Sequence, residues 1–245
     1  MEEEQEDQEM GTPRDPGISV KFVTSISPRR IDRQKRCIAS WLALGFPVVA
    51  VQSPGEDKFL KPQFPGVEFV DTQLVGDLFQ NYEIARIKPM IDQAVDEEVL
   101  ILNSDIDIVS DPDVFRKNWT NPDNRELRVG IRWNRNPRTG ELKMFKNGVD
   151  AFLITPDMAK VIPDIGLAIG KPAWDYFIPW HLVKNEGYKM TVHKDTPTFI
   201  HEEHPQNWSV DDYHRGLKLF ETRYGIDRRT LHRFIQASTG RTHMP

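Results

Sequence analysis

The chain has 245 residues, a formal net charge of −5 and a single cysteine. That length accommodates one substantial α/β core. The acidic balance argues against a protein coated in basic charge for indiscriminate nucleic-acid binding. One cysteine, Cys37, excludes an internal disulfide and fits burial in a reducing compartment. No apolar run is long enough to span a membrane, since the longest, Cys37 to Val51, is broken by Gly45 and Pro47.

Met1 to Met10 are nearly all Glu, Asp and Gln, which bury too little apolar surface to offset their own ordering. Residues 1–16 are therefore expected to form a disordered acidic tail, with 17–245 a single domain. The opening lacks the basic and apolar regions of a signal peptide, so the expected location is the cytoplasm. Ile18 to Thr24 has strand composition and ends in the polar loop Ser25 to Arg30. Ser27-Pro28 reads as the cap and first turn of a helix whose stripe includes Ile38, Trp41 and Leu42 and which Gly45 closes. Val48 to Val51 and Val67 to Val70 are further strands, and strand, helix, strand at this spacing is a βαβ unit. The loop after the first strand of such a unit lies on the ligand edge of the sheet. Thr24, Ser25 and Ser27 are thus candidates to contact a nucleotide, and Arg29 and Arg30 to reach its phosphates; both arginines also belong to a solvated face running to Arg36.

Leu78 to Asp96 is mostly helical in pattern, with Arg86 and Lys88 just ahead of an expected break at Pro89. Val99 to Val109 then reads as a buried strand that surfaces at its carboxyl end. Strand alternation would put Asp105 and Asp107 on one side, two hard oxygen donors able to share a divalent cation, with Ile106 and Ile108 facing the core. Simple solvation of both acids is the bland alternative. Asp111-Pro112-Asp113 opens a short helix to Trp119, Arg128 to Trp133 is a strand, and Asn134 to Gly140 a polar turn. Lys146 to Thr155 is a Gly-led strand running into a helix at Pro156. Lys171 to Phe177 starts a helix that stops at Gly187. Asp175 falls in its first turn, where the helix dipole stabilises a carboxylate whether or not it does chemistry. Trp174 stands beside it. Lys189 to His193 and Thr198 to His201 are strands, the second leading into Glu202-Glu203-His204, and helices at Val210 to Tyr224 and Asp227 to Gln236 close the chain.

The Asp105-Ile106-Asp107 segment at a strand end resembles the D-x-D motif of the GT-A family of nucleotide-sugar-dependent glycosyltransferases. The resemblance implies an α/β, Rossmann-related domain with a central mixed, mostly parallel sheet flanked by helices. It also implies transfer of a sugar from a nucleotide diphosphate donor, a UDP-sugar foremost, to an acceptor hydroxyl on a carbohydrate or other compound. Asp105 and Asp107 would hold Mn²⁺ or Mg²⁺ against the diphosphate, and a late histidine, His201 with His204 as alternative, would complete the metal sphere. Imidazole suits Mn²⁺ better than Mg²⁺. Lys88 resembles a basic position that reaches the donor, and Arg86 near it is a further donor-binding candidate. Asn147, Gly148 and Asp150 would line the sugar pocket with Trp174, and Asp175 would act as base in an inverting enzyme or contact donor hydroxyls in a retaining one.

Other functions stay in view. A nucleotidyltransferase would want a Gly-rich loop after the first strand, and Ser25 to Arg30 has no glycine. A non-catalytic nucleotide-sugar or carbohydrate binder of the same fold is a further alternative, but an EF-hand at Asp105 fails at Val109 and Ser110. Basic clusters at Arg29 to Arg36, Arg132 to Arg138 and Arg228 to Arg233 are either scattered solvated faces or a groove for nucleic acid, as a transferase acting on modified DNA bases would need.

Overall fold

The computed structural model describes residues 20–73, 84–120, 125–145, 148–205 and 208–238. The expected acidic tail and Asn147 lie outside these residues. In chain order the elements are β1 (Val20–Thr24), α1 (Ile31–Ala43), β2 (Val48–Gln52), α2 (Asp57–Leu60) and β3 (Val67–Asp71). Next come α3 (Ile87–Ile91), β4 (Glu98–Leu102), β5 (Ile106–Ile108), α4 (Pro112–Trp119), β6 (Glu126–Gly130) and β7 (Arg132–Arg135). The rest are β8 (Leu142–Met144), β9 (Ala151–Ile154), α5 (Pro156–Val161), α6 (Trp174–Trp180), β10 (Lys189–His193), β11 (Phe199–Glu202), α7 (Val210–Tyr224) and α8 (Arg228–Ser238).

Among the described residues, seven strands form one mixed sheet in the order β10-β6-β9-β4-β1-β2-β3. Its pairings are parallel except where β9 runs antiparallel to β4 and β6. Alternation along the central strands divides the core. Val23, Val49, Val99 and Ile101 face one layer with α3, α5, α6 and α7, whereas Phe22, Val48, Leu100 and Leu102 face the other with α1 and α4. The second layer is strongly aromatic, with Phe22 5.6 Å from Trp41 and Phe115 stacked on Trp119 at 6.1 Å.

Two of the expected strands are each divided between this sheet and a second one, of order β5-β11-β7-β8. Val99 to Val109 is not continuous: β4 ends at Leu102, a turn closed by Ile106 N donating to Asn103 O (3.1 Å) follows, and β5 then pairs antiparallel with β11. Arg128 to Trp133 splits likewise at Ile131. Gly130 is required at that corner because a Cβ there would strike the Phe199 ring. Three helix boundaries also differ from expectation. Arg30, with φ 56°, precedes α1 in place of a Ser27 cap. Pro89 sits in the first turn of α3, where a missing N–H is tolerated, and does not break it. α6 begins at Trp174 and gives way to a π turn, His181–Asn185, before Gly187. Among the described residues, no helix is long and apolar enough to cross a membrane.

Candidate functional site

The corner after β4 faces the end of β11, and three donors meet there. Asp105 Oδ2 lies 3.0 Å from His204 Nε2 and 3.4 Å from His201 Nε2, and the two imidazole nitrogens are 3.2 Å apart. These three residues form a group able to hold a metal ion. Burial alone would push the Asp105 carboxyl up, but hydrogen bonds and charge from His201 and His204 outweigh it and hold it well below the usual carboxylate range. His204 Nδ1 donates to Pro205 O at 2.8 Å, which orients the ring with Nε2 directed at the group. His201 is buried, with no partner for Nδ1 among the described residues.

Asp107 does not join them, and strand geometry gives the reason. In the β5–β11 pair Asp107 lies opposite Ile200, while His201 lies opposite Ile106. Cross-strand partners share a face and neighbours alternate, so Asp107 and His201 belong to opposite faces. Asp105 escapes that constraint because it occupies the turn. Asp107 instead acts on α1: with burial and Asp105 it pushes the Cys37 thiol up to about 12, which leaves Cys37 inert.

The support for this corner comes from a residue that chain-order reading passed over. Gln34 is 3% exposed, at the position in α1 one turn before Cys37 and Ile38. Its Oε1 accepts from Ser104 Oγ (2.6 Å) and Ser27 N (2.8 Å), and its Nε2 donates to Ser27 O (2.8 Å) and Arg29 O (2.7 Å). One amide thereby ties the β1 loop to the residue before Asp105. A polar residue on an otherwise apolar helical stripe was the available signal. Arg33, the next residue back, donates to Glu202 O (3.2 Å) and pairs with its carboxylate, fixing the residue after His201.

A second cluster adjoins the first through β7. Asn134 lies opposite His201, and its side-chain oxygen accepts from Arg132 Nε at 3.1 Å. Arg132 also pairs with Asp150 at 2.7 Å and stacks over Phe145 at 4.0 Å. Asp150 is 5% exposed, and its other oxygen has no protein partner among the described residues. Asp175 faces this pair. Burial first, then the Asp150 charge, raise its carboxyl to about 7 against the lowering pull of its own backbone N–H, Arg132 and Ala173. Gly148 leaves room for it, since a Cβ there would lie 2.8 Å from Asp175 Oδ2.

The remaining candidates separate clearly. Ser27 and Arg29 are exposed on the β1 loop. Ser25 is half-buried and donates to Gln52 Oε1 at 2.9 Å. Thr24 is fully buried, so its hydroxyl lines no cavity. Trp174 is 3% exposed and packs on Phe152 at 5.2 Å, so it is a core residue with no face free for a sugar. Arg86 is bound to Asp164 (3.0 Å), and Lys88 to Asp92 and Ala159 O, all on the α3–α5 side. Both are therefore engaged away from the Asp105 corner.

No family model matches the sequence, and no curated protein matches it. Its fold is similar to that of a solved structure described as GalNAc-T7 with UDP, GalNAc and Mn²⁺, with a TM-score of 0.51 at 10% sequence identity, covering 84% of this chain. The chain spans 48% of that structure's length. The mixed sheet flanked by helices is thus a GT-A-like, Rossmann-related fold.

Proposed function

We propose that the chain is a divalent-metal-dependent glycosyltransferase that moves a sugar from a nucleotide diphosphate donor, a UDP-sugar foremost, to an acceptor hydroxyl. The observation that carries this reading is the convergence of Asp105, His201 and His204 just beyond the carboxyl end of β4, where open α/β sheets bind ligands. The similar structure, with its UDP, GalNAc and Mn²⁺, supports it.

The donor set fits a cation. Three donor atoms 3.0 to 3.4 Å apart match neighbouring positions around an ion bound at roughly 2.1 Å. One carboxylate and two imidazoles form a donor set that a first-row divalent cation accepts, and the cation proposed is the Mn²⁺ that the similar structure holds. When bound, such an ion stabilises the negative charge of the departing diphosphate.

The chain's own groups supply the rest. Gln34 and Arg33 hold the ligand-bearing segments still from α1, an arrangement on which ligand affinity depends. Ser25, Ser27 and Arg29 lie on the loop that Gln34 joins to that corner, and they are assigned to the nucleotide. Asp175, titrating near neutrality, accepts the proton of the acceptor hydroxyl if the reaction inverts, or an acceptor-independent hydrogen bond from the donor sugar if it retains. Asp150, fixed by Arg132, and Gly148 shape the space in front of it.

The test is a panel of nucleotide sugars incubated with the protein in Mn²⁺ or in EDTA, with release of nucleoside diphosphate as readout. Hydrolysis of a UDP-sugar that needs Mn²⁺ and is lost in Asp105→Asn is expected. Absence of both hydrolysis and binding across the panel, or turnover indifferent to EDTA, overturns the assignment.

A further inference from the structure

The stretch Gly170-Lys171-Pro172-Ala173 leads into α6 just ahead of Asp175. Ala173 ends it with φ 88° and ψ −19°, a left-handed conformation that L side chains adopt at a cost, so the surrounding structure has to hold it there. Ala173 O accepts from Tyr176 N at 3.1 Å and from Phe177 N at 2.9 Å. The turn therefore fixes the direction in which the first turn of α6, and Asp175 with it, leaves the loop.

A single face of α7 seats this turn. Asp212, Gly216 and Phe220 recur at the spacing of one helical turn, and each meets a successive part of the segment. Asp212 Oδ2 accepts from Lys171 Nζ at 3.0 Å, with the two side chains only 8% and 13% exposed. Gly216 lies against Pro172 and Ala173, where a Cβ would fall 2.7 Å from Pro172 O and 2.9 Å from Ala173 Cβ, so the two segments meet at a distance that glycine allows. The Phe220 ring meets Phe177 edge to face at 6.0 Å. Asp212 Oδ2 also accepts from Ser209 N at 2.9 Å, while Asp212 N donates to Ser209 Oγ, the capping box that starts α7. One carboxylate thus fixes both the start of the helix and its seat on the loop. A buried ion pair contributes little net stability beside an apolar pair of the same volume. Its directional bond defines a geometry, which is what a strained turn next to a reacting group requires.

We infer that Lys171 is a positioning residue, which through its bond to Asp212 seats α7 on the Ala173 turn and so keeps Asp175 beside Gly148 and Asp150. That Asp175 then serves a sugar transfer rests on the transferase reading; that Lys171 places it does not. The Asp175 carboxyl reads out its own placement. Burial is the first cause of its standing at about 7 and the Asp150 charge the second, with Arg132 among the groups pulling the other way. Tyr176 on α6 and Tyr213 on α7 also feel its charge. A loosened turn lets water in and moves Asp175 away from Asp150, and both changes lower that value. Loss of the Lys171 charge alone acts in the opposite sense.

The experiment follows the Asp175 carboxyl by carbon NMR over a pH series in the full chain labelled at aspartate Cγ, with Asp175→Asn identifying its resonance and no donor or metal added. In Lys171→Met, which keeps an unbranched side chain and removes the ammonium, the midpoint should fall by at least about one unit, roughly a tenfold loss of proton affinity. Lys171→Arg, which can still donate to Asp212, should hold it near the wild-type value. Gly216→Ala, which wedges the same turn and leaves the ion pair in place, should lower it as Lys171→Met does. A midpoint that stays put in Lys171→Met while Tm falls means that the pair only stabilises, and one that rises means that it acts only by charge. Either overturns the proposal, as does an equal fall in Lys171→Arg. In the turnover assay with UDP-sugars, Lys171→Met should lower kcat about tenfold or more and leave KM within about twofold. A midpoint that falls in Lys171→Met, when the wild type releases no diphosphate from any nucleotide sugar, retires the transferase and keeps Lys171 in this role.

Discussion

Asp175 ties chemistry to stability, and Asp175→Asn separates them. Its carboxyl rises from the ordinary 3.8 to about 7, with burial the larger cause and Asp150 the second. Between those values the folded protein keeps a proton that the unfolded chain has released. Stability therefore falls as pH climbs above about 4, and the loss is complete once pH passes about 7. A neutral amide removes this dependence. A rise of about three units sets a ceiling of roughly 4 kcal/mol, and relaxation and water entry around the ionised carboxylate reduce it to about 1–2 kcal/mol. In a chain of this size 1 kcal/mol moves Tm by about 2–4 °C, so the variant should melt about 2–8 °C above wild type near pH 8 and close to it near pH 4. The same change should lower transfer by about 10²–10⁴-fold. Differential scanning fluorimetry across that pH range is the assay. Parallel melting curves for the two proteins would refute the argument, because Asp175 would then titrate alike folded and unfolded.

Three further outcomes follow from the geometry. Asp105→Asn should abolish the rise in Tm produced by Mn²⁺, which corresponds to about 2.7 kcal/mol when the ion is at a hundred times its Kd, whereas Asp107→Asn should keep it. Equal losses in both would restore Asp107 to the metal group. Gln34→Ala leaves Ser27 N and Ser104 Oγ without their acceptor, so urea denaturation should show a loss of about 1–3 kcal/mol, with weaker Mn²⁺ binding by calorimetry. Gly148→Ala places a methyl 2.8 Å from Asp175 Oδ2 and 3.3 Å from the Phe145 ring. Overpacking of about 1–3 kcal/mol is expected in its melting curve, together with a fall in kcat.

The parallel half of the fold is legible because its strands are short branched-apolar runs bounded by turns, as at Val48 to Val51. The burial of Ile106 and Ile108 also follows from simple alternation. Periodicity does not say which sheet a strand joins, and the divisions at Asn103 to Asp105 and at Ile131 arise from long-range pairing with β11 and β10. Missing the first of these put Asp107 beside Asp105. Trp174 had the chemistry of a sugar platform, but a large apolar ring beside an acid looks the same in sequence whether it faces a cavity or Phe152. The histidine pair was visible, yet choosing between His201 and His204 was not possible from strand position, because the loop after β11 folds the second back onto the first. Arg132, Asp150 and Asp175 come from three separate elements, and no local spacing announces their encounter.

The central claim is that Asp105, His201 and His204 share one divalent ion and that this ion holds a nucleoside diphosphate. Isothermal titration of UDP into the protein, in Mn²⁺ and again in EDTA, tests it directly. UDP should bind with Mn²⁺ present, weaken at least about tenfold in EDTA, a change of roughly 1.4 kcal/mol, and lose its Mn²⁺ dependence in His204→Ala. UDP binding of the same strength in EDTA, or none in Mn²⁺, would contradict it.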